Sequence, residues 1–135
     1  MSERDEAIDV RLTKARECLA GAVSEYTARR YNNVANRCYY AAFLAAIAAL
    51  MRAGIQPQSK DGSWGHEFVQ AQFNGTLVRR KLYSSSIGED LAILIRLRHL
   101  ADYSLEQTSE IQAARAVRRS RSFLATIGAR VGGLR

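Results

Sequence analysis

The stretch Arg96-Leu-Arg-His-Leu-Ala-Asp102-Tyr103 places four ionisable side-chain types in eight residues, directly after the apolar run Leu91-Ala-Ile-Leu-Ile95. Arg binds phosphate in a planar, bidentate fork and can steady charge that develops during a reaction. His moves protons near neutral pH. Asp can orient an Arg or accept a proton. A Tyr with an ordinary pKa near 10 is a poor base but a workable acid or hydrogen-bond donor. A buried helix does not need such a cluster in order to fold. Arg98 and Asp102 lie four apart and so share a helix face. Read structurally, they form an intrahelical ion pair worth roughly 0.3–0.5 kcal/mol if exposed, with Tyr103 packed on the core. Read chemically, Arg98 binds a phosphate, Asp102 orients it or acts as a base, and Tyr103 donates a hydrogen bond. His99 follows Arg98 by about 100° of helical turn. It points off that face, toward another surface such as a dimer partner, or favourably caps a helix C-terminus.

A second cluster is Asn36, Arg37, Tyr39 and Tyr40. Asn and Arg are costly inside a bundle unless hydrogen-bonded. Tyr39 and Tyr40 point about 100° apart, so at least one reaches an interface or a polar pocket. Asn36, Arg37 and Tyr40 are the binding candidates here. His66, between Trp64 and Phe68, is either a packed structural His or a fourth binding group. The two His and two Cys have no metal-ligand spacing. There is no Gly-rich phosphate loop and no nucleophile elbow. No metal and no cofactor are expected.

The elements that hold these residues read as helices. The chain has 135 residues, 20 Lys plus Arg, 13 Asp plus Glu and a net charge of +7. That size suits one domain over residues 1–135. From Ser104 to Arg135 six Arg face two Glu, so the last helix carries over half of the excess charge. Such a balance fits a nucleic acid or an acidic protein as partner. Two cysteines make no disulfide framework. The longest apolar run, Ala41 to Met51, is too short to span a bilayer. With a polar start at Ser2 to Glu6, these features predict a cytoplasmic protein without a membrane partner.

No stretch alternates as a strand would, so the class is all-α. Helices are expected over Asp5 to Arg29, Tyr31 to Ala53 and Trp64 to Phe73, the last ended by Asn74-Gly75. Thr76 to Ser85 is ambiguous. Ser86-Ile-Gly-Glu89 has capping-box spacing and opens a helix that reaches about Ala101. A last helix starts between Glu106 and Ser109 and runs to about Ala129. Its expected inner stripe is Ala113, Val117, Ser120, Leu124, Ile127 and Val131, with Arg115, Arg118 and Arg119 facing away. The alanine-rich second helix is expected at the centre of the bundle.

Two segments together resemble a known family. Asn36-Arg-Cys-Tyr-Tyr-Ala-Ala-Phe43 resembles the Arg-x-Tyr-Tyr-Ala-x-Phe signature of HEPN domains (higher eukaryotes and prokaryotes nucleotide-binding). Arg98-His-Leu-Ala-Asp-Tyr103 resembles the Arg-x-x-Ala-Asp-Tyr signature of a bacterial and archaeal HEPN subgroup, and His66-Glu-Phe68 falls where that subgroup has a His. The resemblance implies an up-and-down bundle of about five helices that forms a homodimer or a higher even oligomer. It implies a metal-independent RNA endonuclease, often a toxin paired with a nucleotidyltransferase antitoxin. Its catalytic residues would be Arg98, Asp102, Tyr103 and His99, with Asn36, Arg37, Tyr40 and His66 in binding roles. The alternative is a non-catalytic module that binds nucleotide, RNA or a nucleotidyltransferase. This sequence departs from the catalytic pattern, in which four to six residues separate Arg from His, because His99 follows Arg98 directly. With a nucleotidyltransferase partner, the Tyr103 hydroxyl is a further expected acceptor for a nucleotide.

Overall fold

A computed structural model describes residues 2–131 of the chain. Five α-helices follow one another: α1 Glu3–Thr27, α2 Tyr31–Arg52, α3 His66–Gln72, α4 Ser85–Tyr103 and α5 Glu110–Val131. A π-helical segment, Phe73–Val78, continues directly from α3. No strand occurs among the described residues, and the fold is an all-α helical bundle.

Local chemistry sets the boundaries. Ser2 caps α1 by accepting a hydrogen bond from the Asp5 amide at 3.1 Å, and Glu3, Asp5 and Glu6 sit in the first turn, where the helix dipole favours them. Helix α2 ends at a left-handed glycine, Gly54, with φ 84°. The Ile55 amide reaches back to the Leu50 carbonyl at 3.0 Å, which is the Schellman closure.

Three boundaries differ from the sequence expectation. Asn74-Gly75 does not stop the chain's helical course. The turn widens instead, and Arg79 donates to the Asn74 carbonyl five residues back at 3.3 Å. This places Phe73 and Leu77 fully inside the core. Helix α4 begins at Ser85, because the Ser84 carbonyl already accepts from Ile87 and Gly88. Ser86 therefore lies within the helix, its hydroxyl 2.9 Å from that of Ser84, and the expected box with Glu89 does not form. A reciprocal capping box forms at α5 instead: the Gln112 amide donates to Ser109 Oγ at 3.1 Å, and the Ser109 amide donates to Gln112 Oε1 at 2.9 Å.

The core is built around α2. Alanines 35, 41, 42, 45, 46, 48 and 49 are all buried, and α1, α4 and α5 pack around them. The helix is apolar enough by composition to cross a membrane, yet most of it is buried within the bundle. From α5 the buried residues include Ala116 and Phe123, whereas Val117 is only partly buried, so the inner stripe is rotated slightly from the expected one. Ser120 is fully buried, and its hydroxyl donates to the Cys38 carbonyl at 2.9 Å, pinning α5 to α2. Arg119 does not simply face away; it donates to the buried Asp90 carboxylate of α4 at 2.8 Å.

Gly88 lets the π-helical segment approach α4. A Cβ there would collide with Asn74 Oδ1 and lie 3.2 Å from Val78 Cγ2. A larger side chain must push the Asn74 and Val78 side chains aside. Gly88→Leu is expected to destabilise the fold by about 1–3 kcal/mol through overpacking, read as a lowered urea midpoint at unchanged m-value.

Candidate functional site

Three elements meet around the Arg98 guanidinium. Helix α2 contributes Asn36, Tyr39, Tyr40 and Phe43, whose spacings of three and four residues place them on one face. Helix α3 contributes His66, its first residue. Helix α4 contributes Arg98 and Asp102. The Arg98 Nε lies 3.4 Å from Asp102 Oδ2. The Asn36 side-chain amide donates to Asp102 Oδ1 at 3.0 Å, so α2 fixes the carboxylate that faces the arginine. The Arg98 Cζ sits 5.0 Å from the centroid of the Tyr39 ring and 5.8 Å from that of Tyr40, within the range of cation–π attraction.

The Arg98 Nε is buried and makes no hydrogen bond of good geometry. Ion pairing with Asp102 and the two rings therefore compensates for its lost water. Its Nη groups make no hydrogen bond among the described residues and remain able to fork onto a phosphate.

Tyr39 is 1% exposed, and its hydroxyl shares a 2.5 Å hydrogen bond with His66 Nδ1. The imidazole stacks on Phe43 at 4.3 Å and on Tyr39 at 5.5 Å, and meets Tyr40 edge-on at 6.1 Å. Its ring contacts are thus with α2, whereas Trp64 and Phe68 pack on each other. Burial pushes the His66 pKa below its ordinary value, and the nearby Arg98 charge lowers it further. At neutral pH the ring is uncharged. Burial pushes the Tyr39 hydroxyl up, opposed by Gln70 and Arg98, so it keeps its proton. A phenol can donate or accept, so the pair supports either imidazole tautomer.

Of the residues singled out in the sequence, the structure brings together Asn36, Tyr40, His66, Arg98 and Asp102. Arg37 lies elsewhere, 3.5 Å from Glu25 of α1. His99 and Tyr103 stack on each other at 5.7 Å, away from the Arg98–Asp102 pair. Tyr103 is 76% exposed and is not packed on the core. Sequence reasoning gave Tyr39 and Phe43 no site role. The spacing Asn36, Tyr39, Phe43 was the available signal, since it continues the polar face of α2 into an aromatic one. Cys38 is buried, with its thiol pushed up to about 12 by burial, and Cys18 is also free.

The sign of the His66 shift gives a pH prediction. Its folded pKa is below the unfolded value, so the unfolded chain binds the proton more readily. The contribution of His66 to stability is complete above the ordinary pKa near 6.5 and is lost as pH falls below it. Thermal melting should show this acid-side loss in the wild type and a smaller one in His66→Gln. The His66 titration followed by NMR should move upward in Arg98→Ala.

The chain is similar to proteins already grouped by sequence. The family profile described as the HEPN domain matches residues 8–130. A UPF0332 protein of Thermotoga maritima is 27% identical over 128 residues, covering 94% of this chain and 92% of that protein. The match reaches from within α1 into the end of α5 and includes every residue of the Arg98 cluster, and the chain therefore belongs to the HEPN domain family.

Proposed function

We propose that this protein is a metal-independent RNA endonuclease that works as a homodimer in the cytoplasm, as the toxin partner of a nucleotidyltransferase antitoxin. The observation that carries the reading is the Arg98 guanidinium, held by Asp102 and two tyrosine rings with its Nη groups unengaged, beside the neutral Tyr39–His66 pair. Arg98 binds the scissile phosphodiester and stabilises the added negative charge as the RNA 2′-hydroxyl oxygen attacks phosphorus. The attacking hydroxyl loses its proton, the P–O5′ bond breaks, and the leaving oxygen takes up a proton. The products are a 2′,3′-cyclic phosphate and a 5′-hydroxyl. His66 supplies the proton transfer that the missing downstream His would provide, with Tyr39 fixing the position of its ring. Asp102 and Asn36 position Arg98.

In the test, purified protein is incubated with labelled RNA in EDTA. Arg98→Ala is expected to lose at least about 10²-fold in cleavage rate. His66→Gln should lose about 10²–10⁴-fold. Cleavage equal in wild type and Arg98→Ala would sink the nuclease reading.

The alternative, a non-catalytic module for nucleotide, RNA or a nucleotidyltransferase, is favoured by one observation. His99 and Tyr103, the only other proton carriers of the motif, stack outside the Arg98 cluster. Tyr103 at 76% exposure is open to transfer of a nucleotidyl group from ATP onto its hydroxyl, with release of pyrophosphate. Incubation with the partner and ATP should raise the intact mass in wild type and leave Tyr103→Phe unchanged.

A further inference from the structure

The far side of α4 carries a second, separate arrangement of charge. Arg96 points about 200° away from Arg98 and, with Arg115 and Arg119 of α5, lines a hollow of about 400 Å³ floored by Ile93, Leu97 and Leu100. Arg119 is held there by the 2.8 Å bond to Asp90, whose side chain is 7% exposed. Leu100 and Gln112 also line the next hollow, of about 50 Å³, together with Ser104, Gln107 and Thr108. Gln107 in turn lines a third hollow, of about 250 Å³, with Arg29, Arg30 and Asn33. The three hollows therefore adjoin, with arginines at both ends and hydrogen-bonding groups together with Glu106 in the middle.

Two further observations point to a ligand. Arg29, Arg96 and Arg115 make no ion pair among the described residues, so their charge is uncompensated. Arg29 is the left-handed residue, φ 62°, that closes α1, with the Arg30 amide donating to the Glu25 carbonyl at 2.9 Å. The Thr108 hydroxyl, on the lining of the middle hollow, is buried and has no hydrogen-bond partner. Its own amide donates to Asn32 Oδ1 at 2.9 Å, which ties the middle hollow to the third.

We propose that these hollows form one track for the sugar–phosphate backbone of single-stranded RNA, leading past the rim where Asn36 meets Asp102. This rests on the RNA reading above. Guanidinium forks at each end match phosphates. Arg96 and Arg115 line one hollow from two helices and converge on one phosphate there, whereas Arg119 stays paired with Asp90. Glu106 lines the middle hollow and keeps a phosphate out of it. The contact there falls to the ribose, whose 2′-hydroxyl can donate to and accept from Thr108, Ser104 and Gln107. No aromatic side chain lines the two α4–α5 hollows, so recognition there is of backbone rather than of bases.

Fluorescence anisotropy with a labelled single-stranded RNA and the DNA of the same sequence tests the track. The measurements are made over a salt series on Arg98→Ala protein, so that cleavage does not intrude. Adding Arg29→Ala, Arg96→Ala and Arg115→Ala together should weaken RNA binding at least tenfold and reduce the slope of log K against log salt by about 2. Adding Thr108→Val should bring RNA affinity down toward that of DNA. Far-UV CD and melting confirm that the variants fold. An unchanged affinity and slope without the three arginines overturns the track, as does an RNA preference that survives Thr108→Val. Binding of polyglutamate in place of RNA overturns it in favour of an acidic protein. RNA held on the track by wild type without cleavage leaves the track standing and ends the nuclease reading; cleavage with binding indifferent to the three arginines ends the track alone.

Discussion

The close approach of helices to α2 is the constraint on which the rest depends. Seven of its residues are buried alanines, which let α1, α4 and α5 come near its backbone. Larger side chains at those positions would push the neighbours out. The Ser120 hydroxyl on the Cys38 carbonyl then fixes α5 along α2, immediately before Tyr39. The register of α2 thereby decides where Asn36, Tyr39 and Phe43 stand. Those three side chains in turn decide where Asp102, Arg98 and His66 can stand.

Helix α4 carries charge on opposite sides and handles it in two ways. On the α5 side Asp90 is buried and accepts one N–H of Arg119 at 2.8 Å, a charge pair that secures packing between the helices. On the α2 side Arg98 receives one carboxylate at 3.4 Å and two aromatic faces. The second arrangement compensates the charge without saturating its donors. Pairing that satisfied every N–H would be a better structural bridge and a worse anion site. The difference separates a bridge that holds the fold from an arginine left able to bind.

Much of this was legible in the sequence. Spacing gave the helices and a shared face for Arg98 and Asp102, and alanine content gave the central place of α2. The family resemblance added His66 and the α2 signature. What escaped were features that depend on contacts between elements. Ser86 and Glu89 have capping-box spacing, but the carbonyl of Ser84 starts that helix first, and the box forms at Ser109 and Gln112. Asn74-Gly75 reads as a stop, yet burial of Phe73 and Leu77 keeps the chain turning. Arg37 neighbours Asn36 in sequence but points to Glu25, since adjacent helical residues diverge by about 100°.

Tyr39 shows why the site is one unit. Its ring is buried, so its hydroxyl needs a partner, and His66 Nδ1 provides it. The same ring lies under the Arg98 guanidinium. A single side chain therefore fixes an imidazole on one edge and supports a cation on its face. Burial makes the imidazole harder to charge, and the nearby Arg98 acts in the same direction. A neutral imidazole beside a retained positive charge is a combination that can accept a proton next to a bound anion. It arises here from three helices rather than from a contiguous motif, because α3 delivers the His that α4 lacks on that face.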